Sequence, residues 1–143
     1  MKRIGIIGGT FNPIHIGHLT IAQMVSEQLQ LDKVFFVPSN LPPHKSSKSV
    51  VSAKDRCHML RLAIKGNARF EISDFEIKKK GKSFSIDTVN YFRDTHPRGT
   101  KLFFIIGSDL LATLHTWKRI NEILKIVTFV AVNRPGYKER KFK

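Results

Sequence analysis

The sequence predicts an α/β domain, a doubly wound, mostly parallel sheet with helices on both faces. Three observations carry this. Short, continuously apolar runs recur along the chain; apolar residues between them have helical spacing; and the two patterns alternate to the end. Continuous apolar strands suit a sheet covered on both sides. The 143 residues fit one domain, and neither an internal repeat nor a dividing linker is visible.

The elements follow in order. Residues 3–7 (RIGII) make a first strand, and Leu19, Ile21, Ala22, Val25 and Leu29 form a helical face. Val34–Val37 is a second strand, followed by the Pro-, Ser- and Lys-rich loop "PSNLPPHKSSKSVV". Loops this long are usually functional or mobile. Ser52 with Asp55 resembles a capping box that opens a helix carrying Cys57, Leu60 and Ile64 on one side. Gly66 is a natural stop. Phe70–Ile77 alternates like an exposed or edge strand. A helix from about Ser85 to Thr95 stops before Pro97. Leu102–Ile106 is a strand, Leu110 to Leu124 spaces as one helix or two, and Val127–Val132 is the last strand. In such sheets ligands bind beyond the carboxyl ends of the strands, here after residues 7, 37, 77 and 106.

Composition narrows the function classes. Hydrophobic residues make up 41% and charged residues 25%, a globular balance. No apolar run reaches the roughly 18 residues of a membrane span. The start "MKRIGIIGGT" lacks the long apolar region and cleavage site of a signal peptide. Cys57 is the single cysteine, so no intrachain disulfide framework exists. These features favour the cytoplasm. The net charge of +14 attracts phosphorylated small molecules, nucleic acid or anionic membrane. The basic residues are spread along the chain, which fits solubility plus phosphate attraction, with only weak, non-specific nucleic-acid binding expected.

"GGTFNPIHIGH" at 8–18 is the strongest local signal. Glycines at a strand end let a ligand approach the backbone, and the following helix N-terminus offers N–H groups to phosphate. His15 and His18, three apart at that helix start, can face one phosphate and stabilise charge that develops in transfer. The stretch is neither a dinucleotide fingerprint nor a Walker A loop, and it lacks the acidic partner of a zinc pair. In "PPHK", Lys45 is a phosphate-seeking charge or part of a solvated basic loop. "GKS" at 81–83 is no P-loop, because Glu76 stands where glycine is required. Ser83, Ser85, Asp87 and Thr88 open a helix and can offer donors to a carboxylate or phosphate. Gly107 ends a buried strand, and Asp109 beyond it can accept from ribose hydroxyls or a base amine. Trp117, beside Lys118 and Arg119, is either core or a platform for a flat heterocycle.

Together "GGTFNPIHIGH", "PPHK", "FSIDT", "IGSDLLATLHTW" and "VNRPG" resemble the nucleotidylyltransferase superfamily with its T/HxGH signature. Within it, the chain is similar to the bacterial nicotinate-nucleotide adenylyltransferases along essentially its whole length. The resemblance implies a Rossmann-like fold and adenylyl transfer from ATP to nicotinate mononucleotide. The products are deamido-NAD and pyrophosphate; Mg²⁺ is held by the ATP phosphates and no covalent enzyme intermediate forms. It implies that His15 and His18 hold the ATP phosphates and that Gly8, Gly9, Thr10 and Phe11 floor the site. Lys45 becomes a further phosphate contact, Thr88 and Trp117 mark the nicotinate end, and Gly107 and Asp109 lie near the adenosine. Asn12 stands where many relatives carry Asp. Relatives continue with a Ser/Thr-rich segment that helps bind ATP; none follows Arg134–Lys143, so 1–143 is expected to be one domain lacking the C-terminal part of the family fold. The alternatives are another adenylyltransferase of this fold, such as the pantetheine-phosphate one, or a truncated nucleotide-binding remnant. The partners expected are ATP and nicotinate mononucleotide, with no membrane and no specific nucleic acid. A homo-oligomer is compatible with the sequence.

Overall fold

The computed structural model describes residues 2–9, 11, 16–39, 52–79 and 84–133. Among the described residues, five parallel strands form one sheet: β1 (Arg3–Gly9), β2 (Lys33–Pro38), β3 (Phe70–Ile72), β4 (Lys101–Gly107) and β5 (Val127–Val132). Their order is β3-β2-β1-β4-β5, the doubly wound arrangement that alternating runs predict. The helices are α1 (Ile16–Gln28), α2 (Ala53–Ile64), α3 (Phe75–Lys78), α4 (Ser85–Asp94) and α5 (Ile120–Ile126), with a 3₁₀ helix over Ser108–Thr116.

The strand period of two sends alternate side chains to opposite layers. Ile7, Phe36 and Ile105 pack with Ile21 and Val25 of α1 and Leu60 of α2. Ile4, Ile6 and Phe104 pack with Val89 and Phe92 of α4 and Ile123 of α5. Each layer buries one stripe of each helix, which is where the α1 and α2 apolar spacing pointed. Ser52 caps α2, its Oγ accepting from the Asp55 N–H at 3.2 Å. Gly66 adopts φ +90°, a conformation that ends the helix without Cβ strain.

One element differs from expectation. The alternation over Phe70–Ile77 predicts a single edge strand, and β3 does lie at the sheet edge. It stops at Ile72, however, and Phe75–Lys78 coils into α3. Local contacts outweigh the alternation. Ser73 Oγ accepts from the Phe75 N–H, Lys78 pairs with Asp74 one turn back, and the Phe75 ring stacks on Tyr91 of α4 at 4.4 Å. The carboxyl end of that strand therefore lies at Ile72, not at residue 77. The spacing from Leu110 to Leu124 resolves into two helices, divided at Arg119, whose backbone is left-handed at φ 56°.

β1 pairs with β2 on one side and β4 on the other, so it has no room to shift. A Cβ on Gly5 would lie 2.7 Å from Leu31 Cδ1, and Leu31 is itself fully buried. Gly5→Ala is expected to cost about 1–3 kcal/mol of stability through overpacking, read as a lowered melting temperature; an unchanged melting curve would show that Leu31 yields freely.

Candidate active site

The strand order reverses direction between β1 and β4, and ligands in such sheets enter beyond the carboxyl ends at that point. Gly8 and Gly9 end β1, Gly107 ends β4, and Pro38 lies beside Gly9 at the end of β2. Among the described residues, a Cβ on Gly8 would meet nothing closer than the Val37 carbonyl at 3.9 Å, and one on Gly9 would touch the Phe11 ring at 3.5 Å, so neither is crowded as Gly5 is.

Phe11 turns the chain from β1 toward α1. Its φ is 48°, uncommon for a residue with a large side chain. The ring is 2% exposed and meets the His18 imidazole edge-on at 5.1 Å and Phe36 at 5.9 Å. Burial of the ring offsets the backbone strain, and the same ring buttresses His18 in the first turn of α1. Strained backbone recurs at functional turns, and here it sits between the glycines that end β1 and His18.

Beyond β4, Gly107 is followed by the 3₁₀ helix, with Asp109 in its first turn. Ser108 Oγ donates to Asn133 Oδ1 at 2.8 Å and ties the ends of β4 and β5 together. Trp117 caps the far end of that helix. Its half-buried indole meets Phe104 and Phe129 edge-to-face, each at 5.8 Å. The indole thus joins the core and keeps an open part. The cations beside it turn elsewhere: Lys118 lies over the Phe84 ring at 4.3 Å, and Arg119 pairs with Glu122.

Thr88 lies in α4 and is 1% exposed. Its hydroxyl donates to Glu76 Oε2 of α3 at 2.8 Å, so the side chain bonds to protein. Burial pushes the Glu76 carboxyl above the usual range, against the Thr88 hydrogen bond and the Lys79 charge that favour its ionised form. Asp87 is shifted the opposite way: the Lys79 hydrogen bond holds its carboxyl below the usual range.

Thr10, Asn12, His15, Lys45, Ser83 and the segment 134–143 lie outside the described residues. Of the residues singled out by sequence, the structure brings Gly8, Gly9, Phe11 and His18 together at the β1–α1 turn. Gly107 and Asp109 stand at the end of the adjacent strand β4, while Thr88 and Trp117 belong to the layer of α4 and α5.

Two residues near this crest escape motif reading. Arg56 is 1% exposed, and its Nη1 donates to the Ser39 carbonyl at 2.6 Å. The Ser39 N–H in turn donates to the Gly9 carbonyl at 2.9 Å. A buried guanidinium on α2 thereby braces the end of β2 against β1. The signal was present, because Arg56 falls four residues before Leu60, on the apolar stripe of its helix. Glu76 is the second, and its only sequence trace is an acidic residue inside an alternating run.

Residues 6–142 match the cytidylyltransferase-like family model. A relative from Shouchella clausii, named "Probable nicotinate-nucleotide adenylyltransferase", is 48% identical over 136 residues, covering 95% of this chain and 70% of its own. The chain belongs to the nicotinate-nucleotide adenylyltransferase family. A family member of the same name from Lactiplantibacillus plantarum is 46% identical over 136 residues, 95% of this chain and 64% of that one. This chain thus spans about two thirds of the length of such relatives. The fold matches the Plasmodium falciparum nicotinic acid mononucleotide adenylyltransferase solved with NaAD, at a TM-score of 0.75 and 20% identity, over 96% of this chain and 78% of that one.

Two expectations follow from the geometry. Gly8→Ala should leave the melting temperature unchanged while weakening nucleotide binding, as calorimetry would read; equal loss of both would make Gly8 a structural residue like Gly5. For Glu76 the sign is set by its raised carboxyl. Folding favours its protonated form, so its contribution is present at low pH and lost as pH rises through the raised value. Glu76→Gln, which keeps an acceptor for Thr88, should melt higher than the wild type at neutral pH. That gap should shrink on acidification toward the ordinary glutamate range, and a pH-independent gap would contradict the burial argument.

Proposed function

We propose that this chain transfers the adenylyl group of ATP to nicotinate mononucleotide. A phosphate oxygen of the mononucleotide attacks the α-phosphorus of ATP; the bond from that phosphorus to the pyrophosphate oxygen breaks; deamido-NAD and pyrophosphate leave. The observation that carries this is the 48% identity to a named adenylyltransferase over 136 residues, running through the strand crest described above.

Catalysis in such a site is positioning and charge stabilisation. His15 and His18 meet the ATP phosphates at the mouth of α1, where N–H groups and the helix dipole add positive potential. Gly8, Gly9 and Thr10 let the phosphates approach the backbone, Phe11 sets the angle of His18, and Lys45 adds a further cation. Gly107 and Asp109 receive the adenosine, and the open part of Trp117 with the start of α4 receives the nicotinate ring. Mg²⁺ arrives on the ATP phosphate oxygens, the hard ligands it prefers. Among the described residues no three His, Cys, Asp or Glu side chains cluster to hold a metal ion. The site forms within one domain, and the cytoplasm supplies both substrates. No helix among the described residues is long and apolar enough to cross a membrane, and Cys57 is a buried thiol.

A pyrophosphate-release assay with Mg-ATP and a panel of acceptors tests the reading. Release with nicotinate mononucleotide supports it, and release with pantetheine phosphate instead overturns it. Within the active protein, His18→Ala should lower kcat by about 10²–10³-fold, the scale of losing one transition-state donor. Affinity for nicotinate mononucleotide should change little; an equal loss in both would reduce His18 to a structural role.

A further inference from the structure

Two polar bridges join α3 to α4. Glu76 accepts from the Thr88 hydroxyl, and Lys79, just past the end of α3, pairs with Asp87 in the first turn of α4. α3 is only four residues long, too short to be stable by its own hydrogen bonds. Its ordering therefore depends on what it holds. Lys118, the residue after Trp117, covers the ring of Phe84 at the N-cap of α4. The start of α4 thus touches both the α3 segment and the segment that carries Trp117.

A carboxylate is a costly way to pack a helix, since an apolar contact of equal size would avoid desolvating it. What the carboxylate adds is direction. One hydrogen bond at 2.8 Å fixes the rotamer of a side chain that is itself 1% exposed. It adds a directional tie at the start of α4 to the apolar packing of Ile86, Val89 and Phe92 that orients the helix.

We propose that Glu76 is a positioning residue for the acceptor nucleotide, holding the start of α4 in register with Trp117 through the Thr88 hydroxyl. The proposal rests on the adenylyl-transfer reading for the identity of the acceptor. Glu76 itself touches no substrate in this scheme.

The test measures dissociation constants for nicotinate mononucleotide and for Mg-ATP by calorimetry on the 143-residue chain, with melting curves alongside. Glu76→Ala should weaken mononucleotide binding by about tenfold, the scale of one charge-assisted hydrogen bond, with ATP affinity held within about twofold. Glu76→Gln should restore it, because its amide oxygen still accepts from Thr88. Thr88→Val, close in shape and lacking the hydroxyl, should match Glu76→Ala, and the double variant should be no worse than either. It also serves if Glu76→Ala does not fold. Parallel loss of both affinities, unchanged mononucleotide affinity, or failure of Gln to rescue each overturns the proposal. Wild-type chain that binds mononucleotide yet releases no pyrophosphate defeats the reaction and leaves the binding comparison decisive. Wild-type chain that binds no mononucleotide defeats both.

Discussion

β1 is held on four sides, by β2 and β4 in the sheet and by a helical layer on each face, and the rest of the structure depends on that confinement. A strand so placed can neither slip nor tilt without moving the whole core. Its last residues, Gly8 and Gly9, are therefore delivered to the same point in every molecule. In the proposed adenylyl transfer these glycines would serve as bare, fixed backbone rather than as flexible links. Gly5, three residues earlier, makes the fixing possible by letting Leu31 close against the strand.

Two buried or largely buried charged groups, Arg56 and Glu76, tie neighbouring segments together. Arg56 holds the Ser39 carbonyl, Ser39 holds the Gly9 carbonyl, and Glu76 holds Thr88. Such contacts are poor sources of stability, because desolvation cancels much of the attraction. They are good sources of direction, and a site that transfers a phosphorus centre between two bound nucleotides requires direction above all.

Most of the fold was legible in sequence because it rests on periodicity. Buried parallel strands announce themselves as unbroken apolar runs, and β1, β2, β4 and β5 all did so within two residues at each end. β3 was misjudged in length because alternation continued past Ile72 while the hydrogen bonds did not. The interactions that coil Phe75–Lys78 include the partner ring Tyr91, sixteen residues on, which no local pattern reveals. Gly8, Gly9 and Gly107, which the motifs single out, do lie at strand ends. Thr88 was read as a donor toward ligand, whereas its hydroxyl in the structure goes to Glu76. The sequence held both residues, but nothing in their spacing shows that a turn of helix brings them together. Trp117 kept both of its readings, since its indole is wedged on two phenylalanines and still partly open.

Phe11 shows what such economy implies for change. Its position makes two demands that oppose each other: a backbone conformation that glycine adopts most easily, and a large ring to fill the space between Phe36 and His18. Glycine would relieve the first and empty the second; leucine or tyrosine would serve the second and keep the strain. Phenylalanine itself meets only the second demand, so any ring that replaces it inherits the strain. Phe11 holds its place by what it fills, not by the conformation it adopts.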